Sequence, residues 1–377
     1  MSSPSKALPA WIDVGVIPLI NILLAFFVSG IVILIIGEDP IEAVKIIIYG
    51  AFGNDYNIGY TLHYTTNFIF TGLAVAVAFH ASLFNIGGEG QAYIGGLGVG
   101  LLCLALDQYV PFWIILPLAI ATSGLFGAAW AYIPAYLQAY RGSHIVITTI
   151  MFNFIAFSLM NYILVNVLIE PGQMSPESRD FLASAQMPTM QEALGWFGIE
   201  IQKSPLNLSI LLALFSCLFV WLFIWHTRWG YAIRMFGFNE NAANYSGINT
   251  QRLVVGTMCL SGVLAGFVGI NEIMGNHNRV MLDFVAGAGF TGIAVALMGR
   301  NHPVGIIIAS LLFGTLYQGG AELSFEIPTI QGEMVKAIQG LVILFCGALA
   351  YMARPTIERL FTAIVVNNGA RKEQTNG

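Results

Sequence analysis

Apolar runs of about twenty residues recur along this 377-residue chain, and they narrow its possible folds more than any other feature. Each run can cross a hydrocarbon layer of about 30 Å as a helix. Only 9% of the residues are charged and 57% are hydrophobic, whereas a soluble domain carries about a quarter charged residues. Segments of roughly ten alternating residues, the mark of a membrane barrel, are not found. The chain therefore reads as all-α, a polytopic transmembrane helical bundle of about ten spans in a single domain, 1–377.

A polar interruption, His226–Arg252, separates two apolar halves, 14–169 and 207–352. It contains Arg228, Arg234 and Arg252, with Asn239, Glu240, Asn241 and Asn244 in its middle. A basic loop held between two spans belongs on the cytoplasmic side, and a cytosolic partner would touch it there.

Val14–Ile36 reads as the first span and is too long for a signal-peptide core. Asp39 and Pro40 then suit the start of a helix whose Ile41, Val44, Ile47 and Ile48 share a face. That helix is either an interfacial one or an ordinary linker. Leu62–Phe79 leads into Ser82–Gly96, where glycines 87, 88, 90, 95 and 96 oppose a continuous helix. Asn85, Glu89 and Gln91 border Ala92–Leu106, which is too short to cross upright. A charge at the bilayer centre costs about 2.5–3.5 kcal/mol on insertion scales, so Glu89 should face protein, water or an interface. The stretch is either a structural break that allows tight packing or the lining of a solute pathway.

Phe112–Gln138 and Ile145–Ile169 follow, the latter with Asn153 and Asn161 as buried polar candidates. Interhelical hydrogen bonding is the default role for both. The acidic loop Glu170–Asn207 fits the outer face, and Leu208–Trp225 returns the chain to the basic loop. Beyond it come Leu253–Met274, the short Ala286–Met298, Val304–Tyr317 and Val335–Tyr351. Asn271 and Glu272 fall near the end of the first of these, and LSGVLAGFVG (260–269) supplies a small-residue stripe for close helix contact.

With both ends inside, Lys6, Arg141, Arg228, Arg234, Arg252, Arg300, Arg354, Arg359, Arg371 and Lys372 lie on the inner side. Lys45, Arg179, Lys203, Arg279 and Lys336 lie outside, as the positive-inside rule asks. Ten spans divide five and five. An odd number per half gives opposite orientations, with the short segments Ala92–Leu106 and Ala286–Met298 third in each. Short helices at matching places in inverted halves point to a translocation site.

Several chemistries lack their residues. There is no GxxxxGK[ST] and no Gly-Lys pair, hence no Walker-type ATP site, and neither HExxH nor GxSxG occurs. Ser261 and His302 would be the candidates of an intramembrane hydrolase. Cys103, Cys217, Cys259 and Cys346 fall within spans, without metal-like spacing, and read as small apolar residues. Few carboxylates or histidines lie in the spans, which disfavours an ion-coupled carrier and favours energy supplied by another protein.

The segments SLFNIGGEGQ (82–91), ITTIMFNFIA (147–156), GFNENAANYSGI (237–248), LSGVLAGFVG (260–269) and GFTGIAVALMGRNHPVG (289–305) occur in this order. Together, over about residues 40–350, they resemble permease subunits of bacterial ABC importers of the branched-chain amino acid, ribose and nucleoside superfamily, and most of all its nucleoside and simple-sugar branch. The resemblance implies a second permease subunit, the same or a related chain, two cytosolic ATP-binding subunits and an extracytoplasmic solute-binding protein. It implies no cofactor on this chain, ATP on the partner, no nucleic acid, and the bacterial inner membrane. Gly237, Asn239, Ala242, Ala243, Gly247 and Ile248 match the family's coupling segment, with Glu240 and Phe238 departing from it. For solute contact, Asn85, Glu89, Gln91, Asn153 and Asn271, with Phe84 and Phe290, offer the polar and aromatic groups that a nucleoside or sugar needs. Purine nucleoside is the expected solute and simple sugar the runner-up. A stand-alone carrier or channel for a small neutral solute is the competing class.

Overall fold

The computed structural model describes residues 17–341 except 197, together with residue 344. Helices α1 (Ile17–Ile36), α2 (Pro40–Phe52), α3 (Asp55–His80), α4 (Gly88–Leu106), α5 (Phe112–Arg141) and α6 (Ile145–Ile163) come first. They are followed by α7 (Met190–Gly195), α8 (Ser209–His226), α9 (Arg228–Phe238), α10 (Glu240–Tyr245), α11 (Thr250–Gly266), α12 (Ala288–Met298) and α13 (Pro303–Glu326). Wider π-turns continue α6 over Leu164–Leu168 and follow α11 over Ile270–His277. Among the described residues no strand occurs; two isolated bridges pair Glu177 with Met281 and Thr189 with Asn207.

Seven helical segments are long and apolar enough to cross a membrane, or eight if Leu23–Ile36 and Pro40–Phe52, bent by 117°, count as one span. The expected ten remain compatible with this, because α12 has eleven residues and Val335–Tyr351 runs beyond the described residues. Lys6, Cys346, Arg354, Arg359, Arg371 and Lys372 lie outside them as well.

The chain divides into two compact units, 1–47 with 320–377, and 48–319. In the first, Ile33, Ala43, Ile47, Leu323, Ile330 and Val335 form an apolar cluster. Asp39 Oδ1 accepts the Ile41 N–H at 2.8 Å, so the expected cap is present. The expected apolar face of α2 is split: Ile47 is buried while Ile41 and Ile48 are exposed.

In the second unit the spans alternate between two faces. One face carries Asp107 and the loop 169–208, tied together by Arg179. The other carries His80, Ser82, Gly237 and Asn301, joined by Ser82 Oγ donating to Gly237 O (2.7 Å) and by His80 Nε2 against Asn301 O (3.0 Å). Helix α3 runs from the first face to the second, α4 returns, and α5 crosses again. Helix α11 and its π-turns run from the second face to the first, α12 heads back, and α13 returns.

The glycines of the 82–96 stretch do not interrupt α4, which runs unbroken from Gly88; the irregular backbone is confined to residues 81–87. They serve close approach instead. A Cβ on Gly95 would strike the Gly266 Cα, and one on Gly262 would lie 2.7 Å from the Ala131 Cβ and strike the Gly127 carbonyl. Ser123 Oγ donates to Gly266 O at 2.6 Å across the same seam. The 260–269 stripe thus brings α11 into backbone contact with both α4 and α5, the packing that small residues permit in lipid. Asn153 is buried as expected, whereas Asn161 is exposed. The two are eight residues apart, about 80° around a helix, and only one faces the bundle. Cys103, Cys217 and Cys259 carry free thiols, the first two buried.

Candidate functional site

Helices α4 and α12 meet by their N-termini. The backbone of Gly88–Glu89 touches that of Gly289, where a Cβ would lie 2.5 Å from the Glu89 Cα. Unsatisfied N–H groups and the helix dipole make each helix start an acceptor-seeking, positive end. Glu89, in the first turn of α4, supplies the acceptors for α12: Oε1 takes the Gly287 N–H at 2.9 Å and Oε2 the Gly289 N–H at 2.8 Å. Asn153 on α6 does the same for α4, its Oδ1 accepting the Gly90 N–H at 2.9 Å while its Nδ2 donates to Ile86 O at 2.9 Å. Asn85 Nδ2 donates to Gln91 Oε1 (3.0 Å) and to Ser261 Oγ (2.8 Å), and Asn85 Oδ1 accepts the Gly87 N–H (2.9 Å). Ser261 Oγ in turn donates to Ala74 O at 2.6 Å. The non-helical segment 81–87 is therefore held by side-chain amides, which supply the partners that a buried irregular backbone needs.

Of the residues read from sequence, Asn85, Glu89, Gln91, Asn153 and Phe290 gather at this junction. Phe290 follows Gly289 in α12 and stays half exposed. Phe84, also partly exposed, packs edge-on against Phe79, ring centroids 5.1 Å apart. Asn271 belongs to a separate cluster. Its Oδ1 accepts from Asn207 Nδ2 (2.9 Å) and Ser209 Oγ (2.6 Å), and its Nδ2 donates to Asn67 Oδ1 (2.8 Å). Beside it, buried Glu272 meets His63 Nε2 at 2.9 Å, Asn67 Nδ2 at 2.5 Å and Asn276 Nδ2 at 3.0 Å. Sequence reasoning missed His63, Asn67 and Asn207. The spacing of His63, Asn67 and Thr71, every fourth residue, was the available signal.

Ser261 and His302 do not form a catalytic pair. The Ser261 hydroxyl is occupied by Ala74 and Asn85, and the His302 ring lies against Trp225 (5.1 Å) with Nδ1 near the Val304 N–H.

The polar interruption folds as two helices joined at Asn239. Thr227 Oγ1 caps α9 through the Gly230 N–H (3.1 Å), and Asn239 Oδ1 caps α10 through the Ala242 N–H (3.1 Å). Gly247, at φ +83°, and the Ile248 N–H on Ala243 O (3.1 Å) close α10 with a left-handed turn. Ala243 is buried, while Glu240, Phe238 and Tyr245 point to solvent. Gly237 sits against His80 O, where any Cβ would clash. Through Ser82, this segment is thus bonded to the 81–87 stretch that leads to Glu89.

On the opposite face Arg179 grips Asp107 with both terminal guanidinium nitrogens, at 2.6 and 2.9 Å, and donates to Leu104 O at 3.0 Å. These hydrogen bonds hold the Asp107 carboxyl below the usual carboxylate range and raise Arg179.

The family described as branched-chain amino acid transport system / permease component matches residues 57–347. The guanosine ABC transporter permease protein NupP of Bacillus subtilis is 34% identical over 333 residues, 88% of this chain and 92% of that protein. The nucleoside ABC transporter permease protein NupB of Lactococcus lactis is 31% identical, covering 87% and 89%. The glucose ABC transporter permease protein TsgB13 of Haloferax volcanii is 31% identical, covering 91% and 89%. No solved structure matches. The chain belongs to this family of permease components: it is a multi-pass membrane subunit of an ABC transporter, working with an ATP-binding subunit and a solute-binding protein, and is not itself an enzyme.

Proposed function

We propose that this permease takes up nucleosides, purine nucleosides foremost, delivered by an extracytoplasmic binding protein. The likeness to NupP along nearly the whole of both chains carries this reading. The likeness to TsgB13 supports simple-sugar uptake as the second reading. The basic residues Arg141, Arg228, Arg234, Arg252 and Arg300 favour a cytoplasmic α9–α10 face and an external 169–208 loop. The membrane is the bacterial inner membrane, both termini are cytoplasmic, and a second permease subunit completes the pathway.

Within one transmembrane domain, α3–α4–α5 and α11–α12–α13 run in opposite senses, which supports inverted halves built about the α4/α12 junction. Asn85, Glu89, Gln91 and Asn153, saturated by intramolecular partners, shape the pathway, and Asn271 braces it nearer the outer face. Phe84 and Phe290 present the apolar wall to the solute. Gly237, Asn239, Glu240, Ala242, Ala243 and Gly247 form the coupling helix, whose displacement by the ATP-binding subunit reaches the junction through Ser82.

The test is uptake of radiolabelled guanosine, adenosine, uridine, ribose and glucose by intact cells with and without the gene. Loss of nucleoside uptake alone upholds the reading. Loss of sugar uptake alone replaces it with the second.

A further inference from the structure

A cavity of about 320 Å³ lies between the starts of α9 and α11, lined by Arg228, Trp229, Ala232, Asn249, Arg252 and Leu253 among others. Its depth follows from the spans that it joins. Arg228 follows the apolar span Ser209–His226 after Thr227 alone, and Arg252 stands in the first turn of the span Thr250–His277. Eighteen helical residues, the length of the first span, cover about 27 Å, close to the thickness of the hydrocarbon layer. The far end of α9 returns to the same level, because Gly237 rests on the carbonyl of His80, the last residue of the span Asp55–His80. Helix α9 therefore lies along the membrane border, and the cavity stands at the height of the lipid headgroups.

Charge and lining at that height suit an anionic headgroup. Arg228 and Arg252 are exposed and form no ion pair among the described residues. Glu240 is the only acidic residue between 201 and 271, so the local sequence leaves the region basic. Both α9 and α11 begin here, and the positive pole of each helix dipole adds to the attraction for an anion. Trp229 is 61% exposed and Tyr231 is 57% exposed; aromatic rings of this kind concentrate where a membrane protein meets the headgroup layer. Ala232 and the buried Leu253 add apolar lining, which suits the first methylenes of an acyl chain and is of no use to a free anion.

We infer that this cavity seats the headgroup of an anionic phospholipid, with its phosphate between Arg228 and Arg252 and its glycerol against Trp229. Basic pockets between membrane helices hold anionic headgroups in the same way. Because α9 and α11 carry α10 between them, an occupied cavity braces the base of that helix. The bracing rests on the coupling role proposed above; the lipid site does not.

The experiment is native mass spectrometry of the permease–ATPase complex in detergent, titrated with equal amounts of phosphatidylglycerol and phosphatidylcholine of the same chain length. Retention of phosphatidylglycerol about twentyfold over phosphatidylcholine is expected. Arg228→Gln and Arg252→Gln should each lower that preference about fivefold, the worth of one basic residue at an anionic surface, and the double variant should abolish it. The melting temperature should stay unchanged, because both side chains are exposed. Arg141→Gln, at the exposed end of α5, should keep the full preference. Equal retention of the two lipids by the unaltered complex overturns the site, and is also what a cavity covered by the ATP-binding subunit would give. An equal loss in Arg141→Gln overturns it too, as diffuse surface charge. Displacement of phosphatidylglycerol by inorganic phosphate would assign the two arginines to a free anion and overturn the lipid.

Discussion

Glu89 accepts the backbone N–H of Gly289 at 2.8 Å, so the first turn of α4 supplies the missing acceptor for the first turn of α12, 200 residues away in sequence. The contact turns a charged residue at membrane depth into a helix cap. Glu89→Ala leaves one buried and one partly buried N–H group unpaired and is expected to destabilise the protein by about 2–4 kcal/mol. Glu89→Gln, which keeps an oxygen acceptor, should lose about half as much. Thermal unfolding of the purified complex checks the order, and solute uptake should fall in the same order.

The α4–α5–α11 seam predicts opposite outcomes for two glycines on one helix. Gly262→Val places methyl groups where the Gly127 carbonyl and Ala131 Cβ already lie, and overpacking of this kind costs about 1–3 kcal/mol or more. Gly256, with open space around it, should tolerate Ala and gain up to about 1 kcal/mol from helix propensity. Fluorescence-detected size exclusion of the two variants reads the difference as loss or retention of folded protein.

Phe238 ends α9 and Tyr245 ends α10, and they are 89% and 94% exposed. Truncating both to Ala removes no internal packing, so the purified permease should melt as before. Co-purification of the ATP-binding subunit and solute uptake should each drop about tenfold, a loss of roughly 1.4 kcal/mol and typical of aromatic contacts in an interface. Gly247→Ala should act differently, weakening the permease itself by about 1 kcal/mol because φ is +83° there.

The Arg179–Asp107 clamp sets a pH dependence on the loop 169–208. The Asp107 carboxyl lies below its unfolded value of about 3.9. Its contribution is therefore fully present above that value and is lost as pH falls through the lower folded value. Proteolysis of the loop should stay constant from pH 7 to pH 5 and accelerate below about pH 4. In Asp107→Asn the loop should be cut faster at neutral pH and lose the acid step.

The spans were legible because their signal is local: an apolar run specifies a membrane helix wherever it occurs. The eleven-residue α12, the small-residue stripe of α11 and the capped α2 followed from neighbouring residues alone. The role of Glu89 did not, because its partners are backbone groups of Gly287 and Gly289, which no side-chain pattern announces. Gly95 and Gly96 misled for a related reason. Glycine lowers helix propensity locally, but Gly266 and Gly269 reward its missing side chain across the interface. The Glu272–His63–Asn67 cluster draws on two helices some 200 residues apart, and only its α3 half carries a readable spacing.

The seam between α4, α5 and α11 also bears on how such a protein moves. Backbones in direct contact cannot slide without opening voids that neither lipid nor side chains are placed to fill. These three helices therefore travel as one stiff lever, and compliance is left to the non-helical segments 81–87 and 278–287. The end of α9 is fastened to the start of the first of these twice over, by the Ser82 hydroxyl on Gly237 O and by the Gly237 backbone resting on His80 and Ala81, so that end of the segment is pinned and its freedom lies toward Gly87.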